Sequence, residues 1–445
     1  MTKGSERTRG QSLRRVVPRG EHAVLGLSAN RAEPVALLEA GNAGRVSDLI
    51  PIRFGRMSAS PFAFFRGSAA LMAHDLAGTP GSGIFVQLCG DAHLSNFGVY
   101  ATPERRLVFG VNDFDETLRG PWEWDVRRLA ASLVVAARDV GMTARQGELA
   151  ARAAARSYRE HIATYATKGS LDVWYATVDV DSGLQLIRSI RTHARRTSAR
   201  ARHRDHLRAL NKLTEPTGDT SRIRHDPPLL RRVDDQPAVL AQVGNLLSRY
   251  RISLPPERRV LLDRYRLADI AMKVVGVGSV GTHCWIGLLQ GQGGDALFLQ
   301  VKEARVSVLE APLGGRPHRH QGRRVVEGQR LMQAFPDVFL GWTMASDSGR
   351  EYYVRQLQDM KGSFNVVDMN ADELAAYGAL CAWTLARSHA RSGNASAIAG
   401  YLGRSSVFDV ALGRFACLYA DQNEQDYGTL VDAIADGRVL ALPEV

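Results

Sequence analysis

The 445-residue sequence has only four cysteines and no long hydrophobic run. Cys89, Cys284, Cys381 and Cys417 are far apart and form no CxxC or Cys/His cluster, so the sequence indicates neither a disulfide framework nor a zinc site. No stretch approaches about 18 consecutive apolar residues. Residues 1–20 are basic and polar, with no apolar segment before a cleavage site. We therefore expect a protein that has no membrane span and is located in the reducing cytoplasm.

Two segments carry the excess of positive charge. The formal net charge is +11: residues 1–20 carry a net +5, residues 186–232 carry a net +9, and the rest of the chain, at −3, is close to neutral. The second segment has no Phe, Tyr or Trp between Arg188 and Arg232, whereas surfaces that bind single-stranded nucleic acid interleave aromatic rings with cations. RNA binding is an alternative that predicts a steep salt dependence. We expect no nucleic-acid partner, because runs of charge are more often solvated faces, and the role of residues 186–232 stays open.

The pattern of apolar residues predicts an α+β fold. With 45% hydrophobic and 23% charged residues, the chain can form a substantial core. Short apolar runs predict strands at 84–88 and 106–111, and residues 267–304 and 350–358, rich in Val, Leu, Ile and Tyr, predict an antiparallel sheet. Apolar positions at helical spacing predict helices from Trp124, over 146–166, over 372–390 and over 408–435.

At about 150 residues per domain, the chain is long enough for two or three domains. Its composition along the sequence predicts four segments. We expect a flexible basic arm at 1–32, a helical lobe with a basic helical insert at 33–255, a β-rich lobe at 256–362, and C-terminal helices at 363–445 that pack on the helical lobe.

Two acidic loops follow the first two predicted strands. Asp91 and Asn96 lie five residues apart after the first, where a carboxylate can contact a substrate hydroxyl while the amide oxygen reaches a cation. Asp113 and Asp115 follow the second, where a hard cation would find oxygen ligands. We expect the two strands to bring these loops together. Taken alone, the same acids would also suit turns and helix caps.

A glycine-rich segment lies far downstream. Gly276, Gly278 and Gly281 fit G-x-G-x-x-G, but the residues after them predict a second strand rather than a helix, which favours a hairpin over a dinucleotide-binding turn. Such a hairpin, with Ser279 in its turn, can place backbone N–H groups over phosphates, and Lys302 on the next strand can reach the phosphate oxygens. A helix follows, on which Glu327 could orient Lys302.

The chain resembles, over nearly its whole length, the bacterial family catalogued as domain of unknown function 2252. The stretches that carry the resemblance are RMSASPFAFFRGSA (56–69), VQLCGDAHLSNFGVYATPER (86–105), NDFDETLRGPWEWDVRRLAASL (112–133), LFLQVKEA (297–304), RVVEGQRLMQA (324–334), YYVRQLQDMKGS (352–363) and LARSHARSG (385–393).

A second resemblance suggests chemistry. Gly90-Asp91-x-His93-x-x-Asn96 is similar to the catalytic loop of aminoglycoside and choline kinase-like phosphotransferases. By this likeness Asp91 is the catalytic base, Asn96 and Asp113 are magnesium ligands, and Asp115 is the runner-up ligand.

The same resemblance covers two supporting residues. Asp125 matches an aspartate that holds the backbone of the catalytic loop in those enzymes. His93 would be structural or would steer the substrate, and a buried histidine with satisfied hydrogen bonds is an equal alternative.

The order of these motifs departs from that of kinases. Kinase-like chains run from the glycine-rich loop through the lysine, helix glutamate and hinge to the catalytic loop and metal aspartate, whereas here the last two come first. Since chain termini often lie close together at the surface, the resemblance implies a circularly permuted, kinase-like fold with two lobes. The segment at 373–390 resembles the helix that normally precedes the catalytic loop.

The resemblance implies an ATP- and Mg²⁺-dependent phosphotransferase. ATP would lie beneath the glycine-rich segment, with its adenine near residues 356–360, and the acceptor would be a small molecule or a protein with a hydroxyl or amine. The alternatives are a metal-dependent phosphoesterase with Asp91, His93, Asp113 and Asp115 as ligands, which predicts that Lys302 lies far from Asp91, and a nucleotide-binding regulator or nucleotidyl transferase. The sequence identifies neither the acceptor nor the oligomeric state.

Overall fold

The computed structural model of the protein describes residues 2–180, 188–203, 206–217, 220–233, 237–315, 317–357 and 360–442. It combines a helical part with a six-stranded antiparallel sheet, and the predicted α+β class with antiparallel strands is confirmed. No helix in these ranges has the length and apolar character needed to cross a membrane.

Helices occur along the whole chain. The first nine are α1 (Lys3–Leu13), α2 (Pro34–Ala40), α3 (Ile50–Met57), α4 (Pro61–Gly67), α5 (Ala69–Ala77), α6 (Trp122–Asp139), α7 (Ala144–Thr167), α8 (Ser170–Tyr175) and α9 (Arg191–Arg202). The others are α10 (His206–Leu213), α11 (Pro237–Ser253), α12 (Pro256–Leu262), α13 (Glu310–Leu313), α14 (Gln321–Met332), α15 (Ala371–Ser392), α16 (Ala395–Leu402) and α17 (Val407–Ala435).

The core of the helical part is built around α6. Every residue of α6 from Trp122 to Ala137 is buried, so this helix is covered on all sides. Helices α7, α15 and α17 pack against it, and small residues allow close approach: the backbone of Gly378 in α15 lies against Leu133 of α6. Helix α7 begins at a capping box formed by Thr143 and Gln146, which satisfies two backbone N–H groups that the first turn leaves unpaired.

The large sheet contains strands β7 (Leu230–Arg232), β8 (Arg266–Lys273), β9 (Cys284–Gln290), β10 (Ala296–Glu303), β11 (Gly341–Met344) and β12 (Glu351–Gln356). Their order across the sheet is β11-β12-β10-β9-β8-β7, and all pairings are antiparallel. The central strand β10 is buried along almost its whole length. This burial fits the apolar run at residues 296–299, whereas Gln300 and Lys302 farther along the strand are buried polar side chains.

The remaining strands form smaller sheets: β1 (Phe85–Leu88), β2 (Phe97–Ala101), β3 (Leu107–Val111), β4 (Leu118–Pro121), β5 (Thr214–Thr217), β6 (Thr220–Ile223) and β13 (Gly362–Ser363). β1 pairs with β4, β13-β2-β3 form a three-stranded sheet, and β5 pairs with β6. The strands predicted at 84–88 and 106–111 are present as β1 and β3, but they lie in different sheets. The two acidic loops are instead brought together by β2 and β3, in which Phe97 is opposite Val111.

The N-terminal segment differs from the predicted flexible arm. Residues 3–13 form α1, which packs on α16 so closely that a Cβ at Gly10 would lie 2.0 Å from the carbonyl oxygen of Ala397. Farther along, Arg19 donates a hydrogen bond of 2.6 Å to the carbonyl oxygen of Leu402. Basic residues that suggested a solvated arm therefore cap backbone carbonyls of another helix.

The sheet begins earlier than the predicted boundary at residue 256. Strand β7 pairs with β8, with Leu230 opposite Lys273. Helix α11 packs against β11 at the other edge of the sheet, where the hydroxyl of Thr343 donates to the carbonyl oxygen of Leu246. The predicted basic helical insert therefore contributes an edge strand and a packing helix to the sheet. The C-terminal helices α15 and α17 pack on α6 and α7.

Candidate active site

Asp125 holds the backbone of the loop that follows β1. Its carboxylate accepts hydrogen bonds from the N–H groups of Cys89 (2.8 Å) and Gly90 (3.0 Å). Gly90 has φ of 88°, and a Cβ there would lie 2.2 Å from the carbonyl oxygen of Glu116, so only glycine fits this turn. His389 of α15 also contacts Asp125, at 3.2 Å. The start of the loop is thus fixed by a buried carboxylate at the beginning of α6.

The loop places Asp91 and Asn96 beside the end of β3. The side-chain amide of Asn96 donates to the carbonyl oxygen of Asp91 (2.8 Å). The carbonyl oxygen of Asn96 in turn accepts from the N–H of Asn112 (2.8 Å), the first residue after β3. Because Asp113 follows directly, the two acidic loops meet at one edge of the small sheet.

Asp91 is held by Arg128 of α6. The Nε of Arg128 donates to Oδ1 of Asp91 at 2.8 Å, while the guanidinium lies 3.8 Å from the centroid of the Phe65 ring. Burial raises the pKa of Asp91 above its usual value, although the charge and hydrogen bond of Arg128 act in the opposite direction. The carboxylate is therefore oriented and less acidic than usual, as a general base requires.

His93 lies next to Asp91, with its Nε2 3.6 Å from Oδ2 of Asp91. Burial, together with the nearby cations Arg66 and Arg128, lowers the pKa of His93 well below its usual value, so the imidazole is neutral. Its Nδ1 is buried and has no hydrogen-bond partner in the described residues. His93 lines the cavity described below, so it is available to contact a bound molecule there.

Asp115 forms the centre of a buried polar cluster. Its carboxylate accepts a very short hydrogen bond from Nζ of Lys302, and it also accepts from the hydroxyls of Tyr353 (2.7 Å) and Ser279 (3.1 Å). Burial alone would raise the pKa of Asp115, but Lys302 and Tyr353 outweigh it and lower that pKa to about 2. Burial and the neighbouring Asp115 raise the pKa of Asp113. Of these two carboxylates, Asp115 is the one that is firmly ionised.

Glu327 does not orient Lys302, contrary to the prediction. Helix α14 turns Gly328 toward β4, where a Cβ would lie 2.4 Å from the hydroxyl oxygen of Thr117. Glu327, the adjacent residue, therefore points outward: its side chain is 53% exposed and pairs with Arg323 at 2.7 Å. The carboxylate partner of Lys302 is Asp115, which comes from the helical part of the protein.

The glycine-rich segment at 276–281 joins β8 to β9 as a hairpin connection. Gly276 and Gly281 have φ of 68° and 84°, a backbone conformation that favours glycine. Residues 45–56 hold this segment in three places. Arg56 donates to the carbonyl oxygen of Gly276 (2.7 Å), the N–H of Val46 donates to that of Gly281 (2.8 Å), and Arg45 donates to that of Val280.

One cavity of about 220 Å³ collects most of the predicted site residues. Those in its wall are Asp91, His93, Asn96, Asp113, Asp115, Gly276, Gly278 and Ser279. Lys302 reaches this cavity through Asp115, whereas Gly281 packs against Arg45 outside it. The connector at 356–360, predicted to hold adenine, contributes no described residue to the wall, and Gln358 and Asp359 lie outside the described residues.

The oxygen ligands expected for magnesium are partly present. Asn96 uses its amide nitrogen within the loop, which leaves its amide oxygen available. Among the described residues, the carboxylate of Asp113 accepts only the N–H of Asp115 (3.1 Å). These two residues supply the hard oxygen donors that Mg²⁺ prefers. Asp115 fits a ligand role less well, because Lys302, Tyr353 and Ser279 occupy its oxygens. Within the described ranges, no three His, Cys, Asp or Glu side chains cluster so as to hold a metal ion by themselves.

Sequence reasoning missed several residues of the site. Arg45, Arg53 and Arg305 line the cavity and Tyr353 binds Asp115, but none was predicted as a site residue. Arg305 could have been considered for the site, because it lies only three residues after Lys302. The arginines near the start of the chain carried no signal, because only the fold brings residues 45 and 53 to the cavity.

The site is thus a cavity enclosed by two acidic loops, a glycine-rich hairpin and a buried lysine–aspartate pair in an α+β protein. A family model described as an uncharacterised protein conserved in bacteria (DUF2252) matches residues 45–433, and the chain belongs to this family. No curated protein and no solved structure matches the chain.

Proposed function

We propose that this protein is an ATP- and Mg²⁺-dependent phosphotransferase acting on a hydroxyl or amine of a small-molecule or protein acceptor. The observation that carries the proposal is the Lys302–Asp115 ion pair, which joins residues 187 positions apart at a cavity lined by Asp91 and Asp113. A metal-dependent phosphoesterase would need no lysine there, and that alternative predicted Lys302 far from Asp91.

In this proposal the residues around the cavity divide the binding of ATP, magnesium and the acceptor among them. Backbone N–H groups near Gly276–Ser279 and the ammonium of Lys302 bind the phosphates of ATP. Asn96 and Asp113 would hold magnesium, and a bound magnesium ion would supply positive charge that offsets the charge of the phosphates. Asp91 accepts the proton of the acceptor hydroxyl or amine. The bond between the γ-phosphorus and the bridging oxygen of ATP breaks, a bond from that phosphorus to the acceptor forms, and ADP leaves.

The order of the elements in and after the large sheet supports the proposal of a kinase-like fold. In protein kinases a glycine-rich loop covers the phosphates, a lysine on the third strand reaches them, and a helix follows. Here the glycine-rich segment joins β8 to β9, Lys302 lies on β10, and α14 follows after the four-residue helix α13. The helix glutamate is the part that differs, because Asp115 rather than Glu327 pairs with Lys302.

A contact between α15 and β1 supports the proposed circular permutation. Gln87 of β1 donates its N–H to Oγ of Ser392 at 3.1 Å, and a Cβ at Gly393 would lie 2.5 Å from Cγ1 of Val86. The end of α15 therefore touches the strand that leads into the Asp91 loop. In the usual kinase order these two elements would be consecutive, and here they are neighbours in space across about three hundred residues.

The test is nucleotide binding by calorimetry with and without Mg²⁺, followed by product analysis with ATP and a panel of candidate acceptors. We expect Mg²⁺-dependent binding of ATP and acceptor-dependent formation of ADP. Release of AMP and pyrophosphate would instead indicate nucleotidyl transfer, and binding without turnover across the panel would favour a regulator. Equal turnover by the wild type and Asp91→Ala would refute the assignment of the base.

A further inference from the structure

Three arginines line the cavity away from the residues assigned to ATP. Arg45 lies after α2, Arg53 lies in α3, and Arg305 follows the end of β10. Together with Leu38 and Val306 they form the wall built from residues 37–53 and 303–308. This wall has no task in the proposed binding of ATP or magnesium.

The three guanidinium groups, here called the arginine cluster, hydrogen-bond to neutral oxygens rather than to carboxylates. Arg305 donates to the carbonyl oxygens of Gly41 (2.9 Å) and Ala43 (2.7 Å), and Arg53 donates to Oδ1 of Asn42 (2.7 Å). The other acceptors are the carbonyl oxygens of Leu38 for Arg53, and of Gly41 and Val280 for Arg45. Three positive charges thus meet around one loop, and in the described part of the chain none of them forms an ion pair with a carboxylate.

The neighbouring acids accept their hydrogen bonds from other groups than the arginine cluster. Glu116 accepts the N–H of Val308 (2.7 Å), Glu303 accepts the N–H of His283 (3.0 Å), and Asp115 binds Lys302. Burial and the charge of Arg305 lower the pKa of Arg45 to about 10. The charges of Glu116, Glu303 and Asp115 act in the opposite direction but do not outweigh burial.

Arg53 gives a second, independent observation. It is only 4% exposed and lines the cavity, yet its Nε is buried and has no hydrogen-bond partner in the described residues. A buried donor without a partner is costly, and a bound oxygen would satisfy it.

We infer that the arginine cluster binds an anionic group, a carboxylate or a phosphate, of the acceptor. Guanidinium groups bind both by paired, charge-assisted hydrogen bonds. The inference rests on the proposed function, since the acceptor must place its reacting group near Asp91 in the same cavity. The other possible source of an anion at the arginine cluster is the phosphate chain of the nucleotide, and the experiment separates the two.

The experiment uses the full chain and two probes, inorganic phosphate and citrate, each titrated by calorimetry with and without a saturating non-hydrolysable ATP analogue and Mg²⁺. We expect at least one probe to bind both alone and beside the analogue. Arg305→Gln should weaken that binding by roughly tenfold or more, the loss of one charge-assisted hydrogen bond, and Arg305→Lys should weaken it less. The matched control is Arg323→Gln, which removes an arginine on the exposed face of α14 and should leave probe binding unchanged.

Two other outcomes would overturn the inference, and a third concerns the proposed function. Displacement of the probe by the analogue would assign the arginine cluster to the nucleotide, and no binding of either probe would remove the site. If the analogue itself does not bind, the proposed function fails while the probe titrations still test for an anion site. Thermal melting checks folding, and the probe should raise the melting temperature of the wild type but not of Arg53→Gln.

Discussion

Lys302 on the central strand of the sheet and Asp115 on the loop after β3 form a partly buried ion pair between two distant parts of the sequence. The Lys302 side chain is 3% exposed and that of Asp115 is 25% exposed. Their interaction raises the pKa of Lys302 against the effect of burial and lowers that of Asp115. Both the stability and the proposed activity of the protein therefore depend on this pair.

The pair can be tested by a double-mutant cycle with Lys302→Met and Asp115→Asn. Each single change leaves a charge without its partner, so we expect each to lower the free energy of unfolding by on the order of 2 kcal/mol, less than for a fully buried pair. The double variant should be more stable than the sum of the single effects predicts. Denaturant unfolding measures all four forms, and additive effects would show that the two residues are not coupled.

The pH dependence of that coupling has a defined sign. Because the pKa of Asp115 falls from the ordinary 3.8 to about 2 in the folded protein, its stabilising effect is complete above pH 3.8 and is lost as the pH falls toward 2. The coupling energy of the cycle should therefore be constant near neutrality and shrink in strong acid. A coupling energy that stays constant down to pH 2 would contradict the assigned pKa.

Asp91→Asn should reduce acceptor-dependent ADP formation by at least roughly a hundredfold, the typical contribution of a general base. Binding of the ATP analogue should change little, because Asp91 contacts the acceptor in the proposal. Asp432→Asn, on an exposed position of α17, is the matched control and should retain full activity. A parallel loss of nucleotide binding in Asp91→Asn would instead assign Asp91 to the nucleotide.

The pH profile of kcat/KM should report the environment of Asp91. Since burial raises its pKa, the acidic limb of the profile should lie above the ordinary value of 3.8. Arg128 opposes that rise, so Arg128→Met should move the limb to higher pH, and Arg128→Lys should move it less. A limb that stays in place in both variants would show that another group controls the activity.

Glu327→Gln is expected to leave binding of the ATP analogue unchanged, whereas Lys302→Met should weaken it strongly. Glu327 pairs with Arg323 on an exposed helix face, where such a pair contributes about 0.3 to 0.5 kcal/mol to stability. A loss of binding in Glu327→Gln comparable to that in Lys302→Met would restore the glutamate–lysine pairing known from kinases.

Gly90→Ala and Gly141→Ala form a matched pair for the turn before Asp91. Both glycines have φ near 80°, at 88° and 77°, but only Gly90 has a close neighbour, the backbone of Glu116. Gly141→Ala should cost about 1 to 2 kcal/mol of stability from backbone strain alone. Gly90→Ala should cost clearly more and should also reduce activity, as unfolding curves and assays would show. Equal costs would mean that the turn can relax away from Glu116.

The sequence predicted the class of fold and many residues of the cavity wall, but not which side chains contact those residues. Asp91, Asp113 and the glycine-rich segment could be found because each lies in a short motif next to a strand. The partner of Lys302 could not, because helical spacing does not show which way α14 is rotated. In the structure, α14 buries Val325, Val326 and Gly328 and leaves Glu327 exposed.

The arginine cluster also depends on contacts between residues far apart in the sequence, which local sequence patterns do not show. Arg45 and Arg53 lie in a segment that reads as ordinary helix and loop, and nothing local marks them as part of a cavity. Their positions depend on the contacts of residues 41–56 with the glycine-rich segment and with Arg305. The N-terminal arm was misjudged for a related reason, since basic residues at a chain end look solvated until the carbonyl groups they bind are known.

The three attachments of the glycine-rich segment to residues 45–56 also affect how a nucleotide would be recognised. A segment already held at Gly276, Val280 and Gly281 loses little conformational entropy when phosphates bind beneath it, so more of the interaction energy remains as affinity. Recognition would then rely on a preorganised surface rather than on a loop that folds over its ligand. Substitutions at Arg45 or Arg56 would act by loosening that surface before any ligand arrives.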